Sequence, residues 1–465
     1  SETILFALIA LALAIIIAIL VLPLFNQLSD RQMRFDLNNN YALMGLLILL
    51  VLFVGLLAGI YPAVILSSFK PIEVLKSKFQ KAARGVSFRK VLVTLQFVIS
   101  ITLIASTIIV AKQLQFLKNK KLGFDKENVV IVTLPKDMDS TRLQTFKNSI
   151  LNNRVISNVA AASSVPGVNI PINQVNDGNT DLTKALSMQM LFTDNDFVKT
   201  MNMKIVAGRD FSNEYATDKT EGFILNEEAI KKAGWKNPSE AIGKTFQWVN
   251  PGRVMKSGKV IGVVQNFNIT PLKSAVQPLV MHYSPIRFQY LYVRFNQLNA
   301  GNAIDIIGKK FKEIYPKQSF EYNYLDETLN RMYTSERRTS QVFSYFSSLA
   351  ILIACLGILG LSLYSIQQRI KEIGIRKVLG ASIIRITSEL VKDFLKPVLI
   401  AAVIAFPIAW FAMNKWLQDF AYRTNIGWWI FIIAGLLAAL IALITVSVQA
   451  IKAATANPVK SLRTE

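Results

Sequence analysis

The chain has 465 residues, 52% of them hydrophobic and 18% charged, with 52 Lys and Arg against 30 Asp and Glu for a formal net charge of +22. This composition excludes a disordered chain and an ordinary soluble domain, and one Cys with one His exclude a disulfide framework and any His or Cys metal cluster. The apolar residues fall in long runs with few charges, the pattern of bilayer spans, so the basic excess has first to be explained beside a membrane.

Six segments, approximately 3–25, 41–66, 89–113, 342–366, 391–414 and 427–450, are apolar enough to cross the bilayer. A core of about 30 Å needs about 20 helical residues at 1.5 Å each. No charged residue occurs from Thr3 to Leu28 or from Tyr41 to Phe69. A signal-peptide apolar region is shorter and follows basic residues, so the first segment is read as a span. Ser1 in place of a start Met, with an apolar span opening within three residues, leads us to expect a fragment.

Lys and Arg in the short connections set the orientation. After the second span stand Lys70, Lys76, Lys78, Lys81, Arg84, Arg89 and Lys90 against a single Glu73. Arg369, Lys371, Arg376, Lys377 and Arg385 lie between the fourth and fifth spans, and Lys452, Lys460 and Arg463 lie in the tail. Loops 26–40 and 415–426 are nearly balanced in charge. Both termini are therefore expected in the cytoplasm and segment 114–341 outside.

An offset of 387 residues superposes the first 78 residues on the last 78 without a gap. Ser1-Glu2 falls on Ser388-Glu389, Asn38 on Asn425, Pro71 on Pro458 and Leu75 on Leu462. The repeating unit is thus expected to be one span, a large outside domain and three spans, with one complete unit from about 84 to 465 preceded by the last two spans of another.

Segment 114–341 reads as a mixed α/β domain. Asn128–Leu134 and Lys259–Val264 are strand candidates, Glu227–Ala233 and Ala303–Ile314 have helical periodicity, and turns are marked at Pro166-Gly167, Asp177-Gly178 and Pro251-Gly252. Leu325–Ser348 is expected to be one helix running into the fourth span as a rigid stalk.

Catalytic chemistry is sparse. Gly243-Lys244-Thr245 lacks the first glycine of a P-loop, whose place is taken by Pro238, and is followed by a strand pattern instead of a helix. His282 stands alone and reads as a packed or surface histidine. Cys355, among Ile, Leu and Ala, reads as a small core residue. No G-x-S-x-G or H-E-x-x-H is present. Gly55 and Gly59, and Gly357 and Gly360, thin helix faces for packing within the subunit or between subunits. The middles of the six spans carry no ionisable residue, which argues against a proton relay or ion-coupled transporter.

The most informative segment is Gln367–Ser382. Ile370, Ile373, Val378 and Leu379 fall on roughly one helical stripe flanked by Arg369, Lys371, Arg376 and Lys377. Two readings remain open on these residues alone, a basic helix resting on anionic headgroups and a docking helix fitting a groove on a cytoplasmic partner.

Lys371-Glu372-Ile373-Gly374-Ile375-Arg376-Lys377-Val378-Leu379-Gly380-Ala381-Ser382 resembles a signature of the FtsX-like, or MacB-type, permeases of ABC transporters. Ala207–Phe211, Leu225–Ile230 through Gly234-Trp235 to Ala241–Lys244, Gly262–Phe267 and Asn457–Arg463 extend the likeness in order along the chain. It is similar in particular to fused eight-span permeases of Bacteroidota. The resemblance implies a transmembrane helical bundle with a large extracytoplasmic α/β domain, the MacB-like periplasmic core. Its parts would be the last two spans and tail of a first unit (1–80), a span opening the second unit (84–113), the periplasmic core with its stalk (114–341), and an FtsX-like domain of three spans (342–465).

It implies further that residues 367–382 hold a coupling helix, Lys371 to Gly380, docking on a cytoplasmic ABC ATPase dimer. The chain itself would be no enzyme and hold no cofactor, ATP and Mg being bound by the ATPase. It would lie in the bacterial inner membrane, among lipids, with a periplasmic adaptor, outer-membrane channel or hydrolase as further partners and no nucleic acid. Two functions fit: mechanotransmission that exports or extracts peptides, lipoproteins or hydrophobic compounds, and regulation of a periplasmic cell-wall hydrolase or envelope-stress signalling without transport. Charge reversal at Arg376 and Lys377, or Ile373→Asp, is expected to uncouple the ATPase.

Overall fold

The computed structural model describes residues 2–29, 32–34, 41–67, 83–136, 138–178, 185–250, 253–296 and 300–455. The basic loop 70–81, the turn at Pro251-Gly252 and the closing motif 457–463 lie outside them. The chain divides into a helical unit, Ser1–Ala111 with Glu336–Asn414 and Ile426–Glu465, and an α/β unit, Lys112–Ser335 with Lys415–Asn425.

Its longer helices are α1 (Glu2–Ser29), α2 (Tyr41–Ser67), α3 (Ala83–Asn119), α4 (Ser140–Leu151), α5 (Ala300–Ile314), α6 (Leu325–Arg331), α7 (Thr334–Gln368), α8 (Ile370–Val378), α9 (Ile383–Leu417) and α10 (Trp429–Thr455). Among the described residues α1, α3, α7, α9 and α10 are long and apolar enough to cross a membrane, whereas the described apolar stretch of α2 is Met44–Leu56. Their Leu, Ile, Val and Ala side chains are apolar all round, as a helix surrounded by lipid and other helices requires.

The 387-residue offset also brings helix ends close together. The same 387-residue offset moves the end of α1, Ser29, onto Trp416 and the start of α2, Tyr41, onto Trp428, each one residue from the boundary of α9 or α10. On α10 the buried residues Ala434, Ala438, Ala442, Val446, Ala450 and Ala454 recur every fourth position, a seam of small side chains that lets helices approach closely. Ala402 and Phe406 of α9 reach this helix at Gly435, where an added Cβ would lie 3.2 Å from the Phe406 ring. Val51 and Gly55, the equivalents of Ala438 and Ala442, are likewise buried, and a Cβ on Gly55 would meet Ile4 Cγ1 at 3.1 Å. Gly55 therefore serves packing inside the chain.

The α/β unit has two sheets. The first has the order β11-β1-β10-β2, with β1 (Val129–Thr133), β2 (Ile156–Ala162), β10 (Tyr290–Phe295) and β11 (Tyr322–Tyr324) all antiparallel to their neighbours. On one face it shares a core with α4 and α5, where the Phe146 and Phe311 rings meet edge to face at 5.7 Å. On the other face lies Tyr292, fully buried, its hydroxyl donating to Ser164 O at 2.9 Å.

The second sheet has the order β5-β8-β6-β9-β4-β3-β7, from β3 (Ile172–Asn176), β4 (Leu186–Phe192), β5 (Ile205–Gly208), β6 (Gly222–Asn226), β7 (Thr245–Asn250), β8 (Arg253–Val264) and β9 (Leu279–His282). β7 returns to pair with β8, so β8, β6, β9, β4, β3 and β7 close into a ring. The 12-residue β8 makes this closure, its first half on β7 and its second on β6 and β5. Gly258 and Gly262 allow it, because a Cβ at either would overlap the carbonyl of Glu221 or Arg209. The strand and helix candidates read from the sequence fall on β1, β8, Glu227–Lys232 and α5.

The stalk differs from expectation. Leu325–Ser348 is not one helix: α6 stops at Arg331 and α7 starts at Thr334. Tyr333 turns into the core and is 8% exposed, and Met332 packs where Gly167 has no side chain. The backbone closes short turns, Met332 N–H to Leu329 O and Tyr333 N–H to Asn330 O, so tertiary burial of Tyr333 overrides helical continuity.

Candidate functional site

α8 is bounded by local signals. Gly380 adopts φ +88°, Gly380 N–H donates to Lys377 O at 3.1 Å and Ala381 N–H to Arg376 O at 2.9 Å, a Schellman ending that needs glycine at this position. Ser382 then opens α9, its Oγ accepting from Arg385 N–H at 3.3 Å. Leu-Gly-Ala-Ser is thus a helix stop followed by a helix start, which fixes the turn between α8 and the span α9.

The expected single stripe on α8 is split. At 3.6 residues per turn Val378 stands about 140° round from Ile373. Ile373 is 7% exposed and packs with Ile366, Ile386, Leu390, Ala450 and Ala454, inside the chain's own bundle. Gly374 is buried too. Ile375, Val378 and Leu379 are exposed, Leu379 by 80%. Ile373→Asp would therefore damage the bundle and is no probe of docking. Arg376 donates to Glu372 Oε1 at 2.7 Å and to Glu389 on α9, while Arg369 donates to Asp393 Oδ2 at 3.0 Å. Lys377 is half-buried and the side chain of Lys371 lies outside the description. A cleft of ≈ 410 Å³ opens between Arg376, Leu379, Gly380, Arg385, Ile386 and Glu389.

Two polar clusters lie in the α/β unit. Lys147 on α4 reaches Asp194, beyond β4, and Asp196 Oδ2 at 2.8 Å. Asp194 also accepts from Ala161 N–H at 2.8 Å and Asp196 N–H at 3.1 Å. Burial opposes charge on Lys147, but the two carboxylates outweigh it and hold its pKa above the ordinary value. Arg209 donates from Nη2 to Asp218 Oδ1 at 2.8 Å and stacks on Tyr215 at 3.9 Å.

Burial pushes the neighbouring Asp210 carboxyl up to about 7, with Asp196, Asp194 and Asp218 repelling its charge against one hydrogen bond from Phe211 N–H at 2.8 Å. The folded state thus holds this proton more tightly than the unfolded chain. Asp210 contributes most favourably below about pH 4, and that contribution is lost as pH rises to 7, a shift worth about 4 kcal/mol. Amide exchange across 205–226 in the full chain is expected to speed up between pH 5 and pH 8 beyond the intrinsic rate change, and Asp210→Asn is expected to flatten that excess.

The other candidates are structural. Thr245 begins a strand and Lys244 Nζ pairs with Glu240 Oε1 at 2.7 Å, so Gly243-Lys244-Thr245 has no helix to present to a phosphate. His282 is buried, stacked on Phe223 at 4.7 Å with Nδ1 2.9 Å from Gly222 O, and burial lowers its pKa.

One arrangement escaped sequence reading. Residues 415–425 are integral to the α/β unit: Gln113 Nε2 donates to Tyr422 O and Thr424 N–H to Gln113 Oε1, both at 2.8 Å, and Ala421 N–H donates to Lys273 O at 2.9 Å. Phe420 is buried in its core. The signal was Trp416, Phe420 and Tyr422 crowded into one short loop.

Residues 344–458 match the FtsX-like permease C-terminal family and residues 91–310 the MacB-like periplasmic core domain. The chain belongs to the MacB/FtsX-type ABC transporter permeases. The first of these matches takes in most of α7, all of α8 and α9 and α10, and the second most of α3 with both sheets except β11. This permease is 23% and 22% identical over 280 residues to the macrolide export ATP-binding/permease protein MacB of two Campylobacter jejuni strains, serotypes O:23/36 and O:2. Each match covers 57% of the permease and 42% of the relative, so the chain spans about two-fifths of the length of the curated relatives it matches.

Among solved structures it is similar to the periplasmic region of MacB from Actinobacillus actinomycetemcomitans, with 14% identity, 45% of this chain and 94% of that chain covered and a TM-score of 0.31. A permease-protein domain from Porphyromonas gingivalis gives 14%, 45%, 98% and 0.30. The extracellular domain of the ABC-type transporter YknZ from Gram-positive bacteria gives 10%, 42%, 98% and 0.31.

Proposed function

We propose that this permease couples ATP hydrolysis by a cytoplasmic ABC ATPase dimer to conformational work outside the membrane. In this reading Lys371–Gly380 is the docking segment, both chain ends are cytoplasmic and the α/β unit is periplasmic. ATP and Mg belong to the ATPase. The cargo is a peptide, a lipoprotein or a hydrophobic compound, moved by the α/β unit from outside without a polar path through the spans. The observation that carries this reading is Val378 and Leu379, two large apolar side chains exposed at the end of a basic helix whose other face is anchored to its own bundle. A groove on a partner would bury them.

The reading is tested by topology and turnover together. Alkaline phosphatase inserted after Asn213 is expected to be active and after Ala381 inactive, and the full chain in nanodiscs is expected to stimulate the ABC ATPase of its operon. Activity at Ala381, or turnover indifferent to the permease, would refute it.

A further inference from the structure

Arg376 lies in the segment assigned above to docking, yet its guanidinium is turned back into the chain. It holds Glu372 on its own helix and Glu389 on α9, while Arg369 at the other end of α8 holds Asp393 one turn along α9. Between these two bridges, Ile373 is seated among residues of α7, α9 and α10.

The ion pairs are half exposed, with the Arg376 and Glu389 side chains 48% and 55% accessible, so they stabilise the fold little. Their contribution is geometric. A nine-residue helix resting on a narrow apolar underside can roll about its axis. A charged contact displaced to one side fixes that roll, and the roll decides which way Val378 and Leu379 point. The internal repeat gives an independent reason to single out one bridge. At the 387-residue offset Glu389 falls on Glu2, while Asp393 falls on Phe6. The acid opposite Arg376 therefore recurs in the second copy of the segment, and the acid opposite Arg369 does not.

We propose, resting on the docking reading above, that Arg376 and Glu389 form a latch setting the roll of α8, and that Arg376 is a positioning residue that does not itself touch the ATPase. Through the latch α8 moves as one body with α9, so a push at Leu379 enters the membrane through that span.

The test uses the full chain in nanodiscs with the ABC ATPase of its operon, reading permease-dependent ATP turnover and retention of the ATPase. Arg376→Glu gathers three carboxylates and is expected to lower stimulation about tenfold. Glu389→Arg alone is expected to do the same. Combining the two restores the contact in reverse, because the introduced arginine on α9 then faces both carboxylates of α8, and stimulation is expected to return to within about twofold. A double variant as defective as Arg376→Glu would place Arg376 against the ATPase and overturn the latch. Leu379→Asp separates the two ideas. If it abolishes retention while the charge swap fails to rescue, the latch alone is wrong; if Leu379→Asp leaves retention and turnover intact, docking at α8 is wrong and the latch falls with it.

Discussion

Lys147→Ala is expected to cost the α/β unit about 3–5 kcal/mol, because it strands a buried carboxylate without its counterion. The Lys147 and Asp194 side chains are 5% and 8% exposed. Lys147 rides on α4 above the four-stranded sheet, and Asp194 follows β4 of the ring, so the pair also ties the two sheets together. Asp196, 49% exposed, reaches water and its loss is expected to cost only about 1 kcal/mol. Lys147→Met combined with Asp194→Asn is expected to be milder than Lys147→Ala, since the amide can still accept from Ala161 N–H and no charge is left buried. Amide exchange of β2 and β4 in the full chain would measure all three. A cost below about 1 kcal/mol for Lys147→Ala would mean that water reaches the Asp194 carboxylate once the lysine is gone, and the buried-charge account would fall.

The second large effect is expected at the exposed end of α8. Val378→Asp with Leu379→Asp is expected to weaken retention of the ATPase by at least about 2 kcal/mol, roughly thirtyfold, while membrane yield stays normal. Burying a leucine contributes about 1.5–3 kcal/mol, and an aspartate in the same groove would also have to be desolvated. Ile373→Asp is expected to behave differently and lower yield, because it puts a charge at a 7% exposed position among Ile366, Ile386, Leu390 and Ala450. Titration of the ATPase onto nanodisc-held variants separates the two. Equal affinity for the double variant and the native chain would remove Val378 and Leu379 from the interface.

Much of this molecule is legible locally. Runs without charge mark the long apolar helices, and Leu-Gly-Ala-Ser announces the turn after α8. Failures come where a distant partner decides. Tyr333 continues a helical pattern in sequence, and only the pocket that buries its ring breaks the helix there. Ile373 and Val378 look equivalent on a short apolar stripe until α9 and α10 take one of them. Lys147 and Asp194 stand 47 residues apart with nothing local to pair them. The loop 415–425 joins a domain that ends about 80 residues before it, and its aromatic residues hinted at burial without naming the host.

Ring closure in the α/β unit limits how that unit can be recognised. Lateral pairing with an extended peptide needs a strand whose outer backbone groups are free. Within the ring the strands satisfy one another, and among the described residues the outer edges belong to β5, β2 and β11. β5 has four residues with a register shift and β11 has three, poor templates for another chain. An extended ligand meeting the ring would have to be read through side chains and loops, which can change between relatives without disturbing a single ladder bond.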